Sequence, residues 1–162
     1  DLTISDLSIG YLDYGSSYHG NAIRLMWNKD GEVGELRISH EGNYIETFEF
    51  ADGTTVSNIT GGDTANDVLT SSGEDEGLFG GAGSDRFVFA DNAGQDVIAD
   101  FEDGLDVIDL EGVSTINSFA DVQDAANQIG DNVEIDLENG STLTINNINV
   151  DSQLDQSDFH FA

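Results

Sequence analysis

The sequence predicts an all-β fold: a short parallel coil of strands flanked by antiparallel strands, with one short helix near residue 120. Three observations lead there. An acidic residue and a large apolar one recur every nine positions across the glycine-containing residues 62–88, a unit long enough for one turn and one short strand. Apolar residues alternate with polar ones in several runs of strand length. Proline is absent while glycine reaches 19 of 162 residues, so glycine supplies the punctuation.

Residues 1–60 read as an N-terminal β segment, with strands expected at 2–9, 22–27, 35–40 and 44–50. Asp52-Gly53 then forms a tight turn before residues 54–56. Residues 61–110 carry the glycine and aspartate units. Residues 111–162 read as a C-terminal cap. In it a helix is expected over 117–129, where Ser118 caps, Asp121 completes a capping-box-like pair, and Phe119, Val122, Ala126 and Ile129 fall near one face. A hairpin follows: Val133, Ile135 and Leu137 alternate with acids, Asn139-Gly140 turns, and Leu143 and Ile145 alternate on the return. The three stretches are expected to form one continuous module. Leu2, Thr3 and Ile4 already read as strand, with no charged and apolar leader before them, which suits a piece of a longer protein.

The repeat carries the chemistry. Units begin at Gly62, Ser71 and Gly80; position six is acidic in each (Asp67, Glu76, Asp85) and position eight is large and apolar (Leu69, Leu78, Phe87). Two units of looser spacing follow, Gly94-Gln95-Asp96-Val97-Ile98 and Gly104-Leu105-Asp106-Val107-Ile108. Six residues of turn and three of strand make half a coil of a parallel solenoid. Glycine permits positive φ, so the turn curls and aims carbonyls inward. The position-six carboxylate adds a hard anionic oxygen, and stacked turns then offer the oxygen-rich surroundings that Ca²⁺ prefers. Position eight fills the space between the two sheets.

Charge points the same way. The chain has 33 Asp and Glu against four basic residues, a formal net charge of −29, and 17 acids but no Lys or Arg after Arg86. Such an excess opposes compaction by self-repulsion, so it must be met by bound cations, by high salt or by a disordered state. It also excludes nucleic acid and anionic membrane surfaces as partners, since both are bound through Lys and Arg. No apolar run approaches a membrane span. Without cysteine there is neither a disulfide nor a thiolate metal site.

The units resemble the RTX, or hemolysin-type, calcium-binding nonapeptide repeats of secreted proteins, which residues 80–88 match fully. Asp96-Val97-Ile98-Ala99-Asp100-Phe101 and Asp106-Val107-Ile108-Asp109-Leu110 resemble the segment that closes the parallel β-roll in serralysin-type C-terminal domains. Ile45-Glu46-Thr47-Phe48-Glu49-Phe50, with Asp52-Gly53, resembles the strand-and-turn unit that flanks such arrays. The resemblance implies that turns eighteen residues apart share an ion. Carried onto this chain, Gly62, Thr64 and Asp67 would share one with Gly80, Ala82 and Asp85. Ser71, Gly73 and Glu76 would share a second with Asp96. Gly80, Gly81, Gly83 and Asp85 would share a third with Asp103 and Asp106. It also implies a secreted, extracellular protein exported by type I machinery that reads an uncleaved signal, with which Asp158-Phe159-His160-Phe161-Ala162 is compatible.

The function expected is therefore a non-catalytic calcium module at the C-terminus of a larger secreted protein. It would fold on meeting calcium outside the cell. The alternative is an accessory module binding an alginate-like polysaccharide, or a piece of an adhesin, with Tyr11, Tyr14, Tyr18, His19 and Trp27 as stacking aromatics. Enzyme signatures fail. There is no His-Glu-x-x-His and no Gly-x-Ser-x-Gly, and an EF-hand beginning at Asp100 would put glycine at the fifth loop position rather than the sixth. His19, His40 and His160 are scattered and read as surface or packing residues.

Overall fold

The computed structural model of the chain describes residues 2–11, 23–38, 47–50 and 53–162. These are mostly β, with one short α-helix. At the N-terminal end β1 (Leu7–Tyr11), β2 (Ile23–Lys29) and β3 (Glu32–Ile38) form an antiparallel sheet in that order. β4 (Phe48–Glu49) and β5 (Thr55–Val56) form a small antiparallel pair. The expected first strand begins late, because residues Ile4–Asp6 make a 3-10 turn. The Thr3 N–H and hydroxyl both donate to Asp6 Oδ2 at 2.8 Å, and Lys29 Nζ meets the same oxygen at 2.6 Å. The lysine's bond and those from Thr3 hold the Asp6 carboxyl down at about 2. The turn drives Ile4 into full burial. Expected strand residues 39, 40 and 44–46 lie outside the described residues.

From residue 58 the chain winds. β6 (Asn58–Gly61), β7 (Val68–Thr70), β8 (Glu76–Phe79), β9 (Arg86–Ala90), β10 (Gln95–Ile98) and β11 (Val107–Gly112) alternate between two sheets. β6, β8 and β10 are parallel neighbours in one, and β7, β9 and β11 in the other. The step between coils is 18 residues at Ile59↔Gly77 and Leu69↔Phe87, then widens to 20 at Gly77↔Val97 and 21 at Phe87↔Ile108. Because side chains alternate along a strand, Leu69, Leu78, Phe87, Ile98 and Ile108 all turn into the space between the sheets and are buried. The opposite face of β6, β8 and β10 presents Ile59, Phe79 and Val97, which are covered by Ile4, Leu25 and Val56. The N-terminal strands thus lie across the outside of one sheet.

The C-terminal third follows a path that local pattern does not reveal. Helix α1 (Phe119–Ala125) is capped by Ser118 as expected, but it ends four residues early. Residues Ala126–Ile129 form β12, paired antiparallel with β13 (Asn132–Glu138). Only Val122 of the helix is buried and Ile129 is 54% exposed, so the apolar face gives further helix little to gain. Strand pairing satisfies the same backbone groups. β13 and β14 (Ser141–Ile145) make the expected hairpin, with Asn139 and Gly140 at positive φ. β14 then joins β10 in parallel, Ile98↔Ile145, and β15 (Phe159–His160) joins β11 in parallel, Ile108↔Phe159. Helix and hairpin are therefore an insertion, after which the winding resumes for another coil.

Candidate metal centre

Turns between the two sheets stack at both ends of the strands. One stack comprises residues 62–67, 80–85, 99–106 and 155–158; the other comprises residues 71–75 and 91–94, with Ser141 beyond. In the first, a carboxylate on each coil accepts from the coil before it. Asp67 N–H donates to Asp85 Oδ1 at 2.8 Å, Asp85 N–H to Asp106 Oδ1 at 2.9 Å, and Gly104 N–H to Asp158 Oδ1 at 3.2 Å. The second oxygen usually accepts from within its own turn. Asp67 Oδ2 takes the Asp63 N–H, Asp106 Oδ2 the Glu102 N–H and Asp158 Oδ2 the Asp155 N–H.

Asp85 breaks the pattern. The N–H that would serve its second oxygen, on Gly81, donates instead to Asp100 Oδ2 at 3.0 Å, while Gly80 N–H donates to Asp100 Oδ1 at 2.8 Å. Asp85 is 2% exposed, and its Oδ2 is buried with no hydrogen-bond partner. The other stack repeats the motif with different residues. Glu76 N–H donates to Asp96 Oδ1 at 3.0 Å, Ser72 N–H to Glu76 Oε2 at 2.6 Å, and Asn58 Nδ2 to Glu76 Oε1 at 3.2 Å. Again one oxygen is left over: Asp96 Oδ2 is buried without a partner.

A buried carboxylate oxygen with no donor is costly, and several carboxyls of the two stacks are shifted upward by their own burial. Burial pushes the Asp96 carboxyl up to about 7. Burial likewise raises Asp100 and Asp106, against the hydrogen bonds they accept, with repulsion from Asp106 and Asp85 added at Asp100 and from Asp85 and Glu102 at Asp106. Asp158 is raised by burial too. No lysine or arginine is among these groups. Arg86, the one basic residue in the repeats, turns to the outside and donates to Asp109. That carboxyl is lowered: burial works upward, but bonds from Glu111 N–H and Arg86 outweigh it. His160 Nδ1 sits 3.4 Å from Asp109 Oδ1 and 3.9 Å from Glu111 Oε2 on the same outer face.

The donor set fits a hard divalent cation. It is all oxygen, anionic, and missing positive charge at two defined atoms. Of the residues singled out by sequence, Gly62, Thr64 and Asp67 share a turn, on which the turn of Gly80, Gly81, Ala82, Gly83 and Asp85 is laid. Ala82 N–H donates to Asp63 O at 3.0 Å, and Ser84 N–H to Asn66 Oδ1 at 3.1 Å. A Cβ on Gly81 would overlap Asp63 O, and one on Gly83 would overlap Ala65 O; both have positive φ. Ser71 and Gly73 lie against the 91–94 turn, where Ser71 Oγ donates to Ala93 O at 3.1 Å. Asp106 stands over Asp85. Asp103 is exposed and makes no hydrogen bond among the described residues, whereas Asp100 and Asp158 stand in the ladder unanticipated. Nothing in the spacing marks Asp158, since its rung is formed only when β15 joins β11. Of the aromatic group, Trp27 lies over Gly34 on the neighbouring strand, a packing role. Tyr14, Tyr18 and His19 are outside the described residues.

No described helix is long and apolar enough to cross a membrane. Residues 46–162 match the family described as Peptidase M10 serralysin C terminal. No curated protein sequence matches the chain. Among solved structures it is similar to the extracellular lipase LipA from Serratia marcescens, at 16% identity and a TM-score of 0.45. The likeness covers 99% of this chain but 31% of the lipase, so the chain spans about a third of that protein's length.

Proposed function

The chain belongs to the serralysin C-terminal family, and from that premise we propose that it is a non-catalytic calcium-binding β-roll of a secreted protein, folding when calcium reaches it outside the cell. The observation that carries the reading is the pair of orphaned oxygens, Asp85 Oδ2 and Asp96 Oδ2, one in each turn stack.

Three groups of residues would hold the ions. Gly62, Thr64 and Asp67 act with Gly80, Ala82 and Asp85. Gly80, Gly81, Gly83 and Asp85 act with Asp106, and Asp100 is the acid of that turn nearest the role expected of Asp103. Ser71, Gly73 and Glu76 act with Asp96. Bound calcium would supply positive charge and oxygen coordination, offsetting carboxylates that otherwise repel one another at the ends of the strands. The residues do the rest. Glycines at positive φ let the turns approach, backbone N–H groups fix one oxygen of each acid, and the apolar position-eight side chains convert stacked turns into a core.

Ligands drawn from turns about twenty residues apart come together only in the folded chain, so ion binding is folding free energy. With dissociation constants of about 10⁻⁴–10⁻³ M, as is usual for extracellular calcium modules, the sites empty in a calcium-poor cytosol and fill outside. Export by a type I system fits the same scheme. Asp158 and Phe159, in the segment read as the export signal, are 1% and 7% exposed in the folded chain. The segment is therefore open to an exporter only before folding, which calcium would trigger on the far side.

Calorimetric titration of calcium into chelator-treated protein tests the reading. About two or three ions should bind in the range typical of extracellular sites, with heat that includes folding. Absence of saturable binding up to about 10 mM, well above that range, would overturn it.

A further inference from the structure

The outer face of the β6–β8–β10–β14 sheet is only partly covered by the N-terminal strands. Beside their edge lies a cavity of about 300 Å³. Its floor is the outward-facing half of three strands: Gln95 on β10, Thr142 and Thr144 on β14, and Asn132 and Glu134 on β13. The register puts these side by side, with Gln95↔Thr142 and Glu134↔Thr144 as direct partners. Thr54 and Thr55 form the facing wall and Asp75 stands at the rim.

One residue marks it as more than a gap. Asn146 lines the cavity, is 5% exposed, and its side-chain amide makes no hydrogen bond among the described residues; only its backbone N–H is used, toward Ile98 O. A primary amide without a protein partner that faces a cavity keeps both its donors and its acceptor for whatever enters. Unlike the orphaned carboxylates, the group is neutral and opens on a space. The side chains of Gln95, Thr142 and Thr144 also make no hydrogen bond among the described residues, so amide and hydroxyl groups of both polarities converge on one volume.

That chemistry matches vicinal hydroxyls, each of which donates and accepts. The volume is at the lower limit of small-molecule sites, about 300 Å³, enough for one or two sugar units. Charge narrows the class. Apart from Asp96, whose carboxylate is turned to the turn stack, the lining holds Asp75 and Glu134 and no Lys or Arg, on a chain of net charge −29, so a uronic acid is repelled.

We propose that this cavity binds an uncharged saccharide of one or two units, with Asn146 as its buried recognition group. The reading goes beyond calcium-driven folding. It moves a glycan role from the N-terminal aromatics to the outer sheet face, and from an acidic polymer to a neutral one.

The test is a ¹⁵N–¹H NMR titration of the calcium-loaded chain with maltose and with cellobiose, each to about 50 mM to reach weak affinities, and with a guluronate disaccharide as the charged comparison. At least one neutral sugar should shift the side-chain amides of Asn146, Gln95 and Asn132, and the guluronate should not. Thr144→Val, on the half-buried outer face, should keep the circular dichroism spectrum and weaken binding about tenfold, as should Asn146→Leu. Three results would overturn the proposal: no shift with either neutral sugar, equal binding of guluronate, or unchanged affinity in the Thr144 variant. Each is read on folded protein, so none bears on whether calcium drives folding.

Discussion

The two turn stacks share the same strands and the same winding, yet they are made differently. The stack holding residues 62–67 and 80–85 carries a carboxylate on every coil, Asp67, Asp85, Asp106 and Asp158, with Asp100 beside them. The other has two buried acids, Glu76 and Asp96, bounded by the neutral groups Asn58 and Ser141, with Ser141 Oγ accepting from Gly94 N–H at 3.3 Å and the exposed Asp75 accepting from Gln95 N–H at 2.9 Å. The longer Glu76 side chain also satisfies both of its oxygens within the protein. Each stack keeps one orphaned oxygen, but the first concentrates far more negative charge around it. The difference teaches that a regular nine-residue repeat need not make equivalent sites: on the proposed reading the first stack depends on cations more than the second, which is partly self-satisfied.

The largest test of that asymmetry is Asp85→Ala. It removes the carboxylate that accepts from Asp67 N–H and that both proposed ion sites of this stack share, and should raise the calcium midpoint for folding at least tenfold, about 1.4 kcal/mol or more, or abolish folding. Asp96→Asn should move the midpoint by less. Equal shifts would break the comparison.

Glycine substitution ranks next. Gly83→Ala puts a methyl group into Ala65 O at a φ of +139°, and should destabilise the calcium-loaded chain by well over 1 kcal/mol. Gly104→Ala, at φ +72° with open space around it, should cost about 1 kcal/mol. Chemical denaturation at saturating calcium measures both.

Acid should substitute in part for calcium. Asp96 titrates near 7 in the folded chain against an ordinary value of 3.8, and Asp100, Asp106 and Asp158 shift in the same direction. Between those values the folded state holds more protons than the unfolded one. The calcium-free fold is thus favoured at low pH, loses stability as pH rises through that window, and loses no more above it. Thermal melts in chelator should fall from pH 5 to pH 8. Melts in calcium should not, because the ion takes the place of the protons. Asp96→Asn should flatten the chelator profile. The smallest effect is expected of Ser141→Ala, which deprives Gly94 N–H of an acceptor at the quieter stack and should cost about 1 kcal/mol.

What the sequence reveals follows from how local each interaction is. The position-eight residues Leu69, Leu78 and Phe87 are legible as core, because a fixed period with a fixed large apolar residue leaves them one place to go. The Asn139-Gly140 hairpin is legible from its turn chemistry. β14 and β15 as further turns of the winding are not, since they pair with strands 47 and 51 residues earlier, across an inserted helix and hairpin. Asp158 is hidden for the same reason. Asp100 was concealed by the widened step between coils, which slides it out of nine-residue register and lets it take the Gly80 and Gly81 N–H groups that leave Asp85 with an empty oxygen.

Circular dichroism during a calcium titration, from chelator to about 10 mM, with magnesium as the control, tests the central claim most directly. Cooperative gain of β structure with calcium and not with magnesium is the predicted result. A chain already fully folded in chelator at neutral pH, with no change on adding calcium, would contradict it.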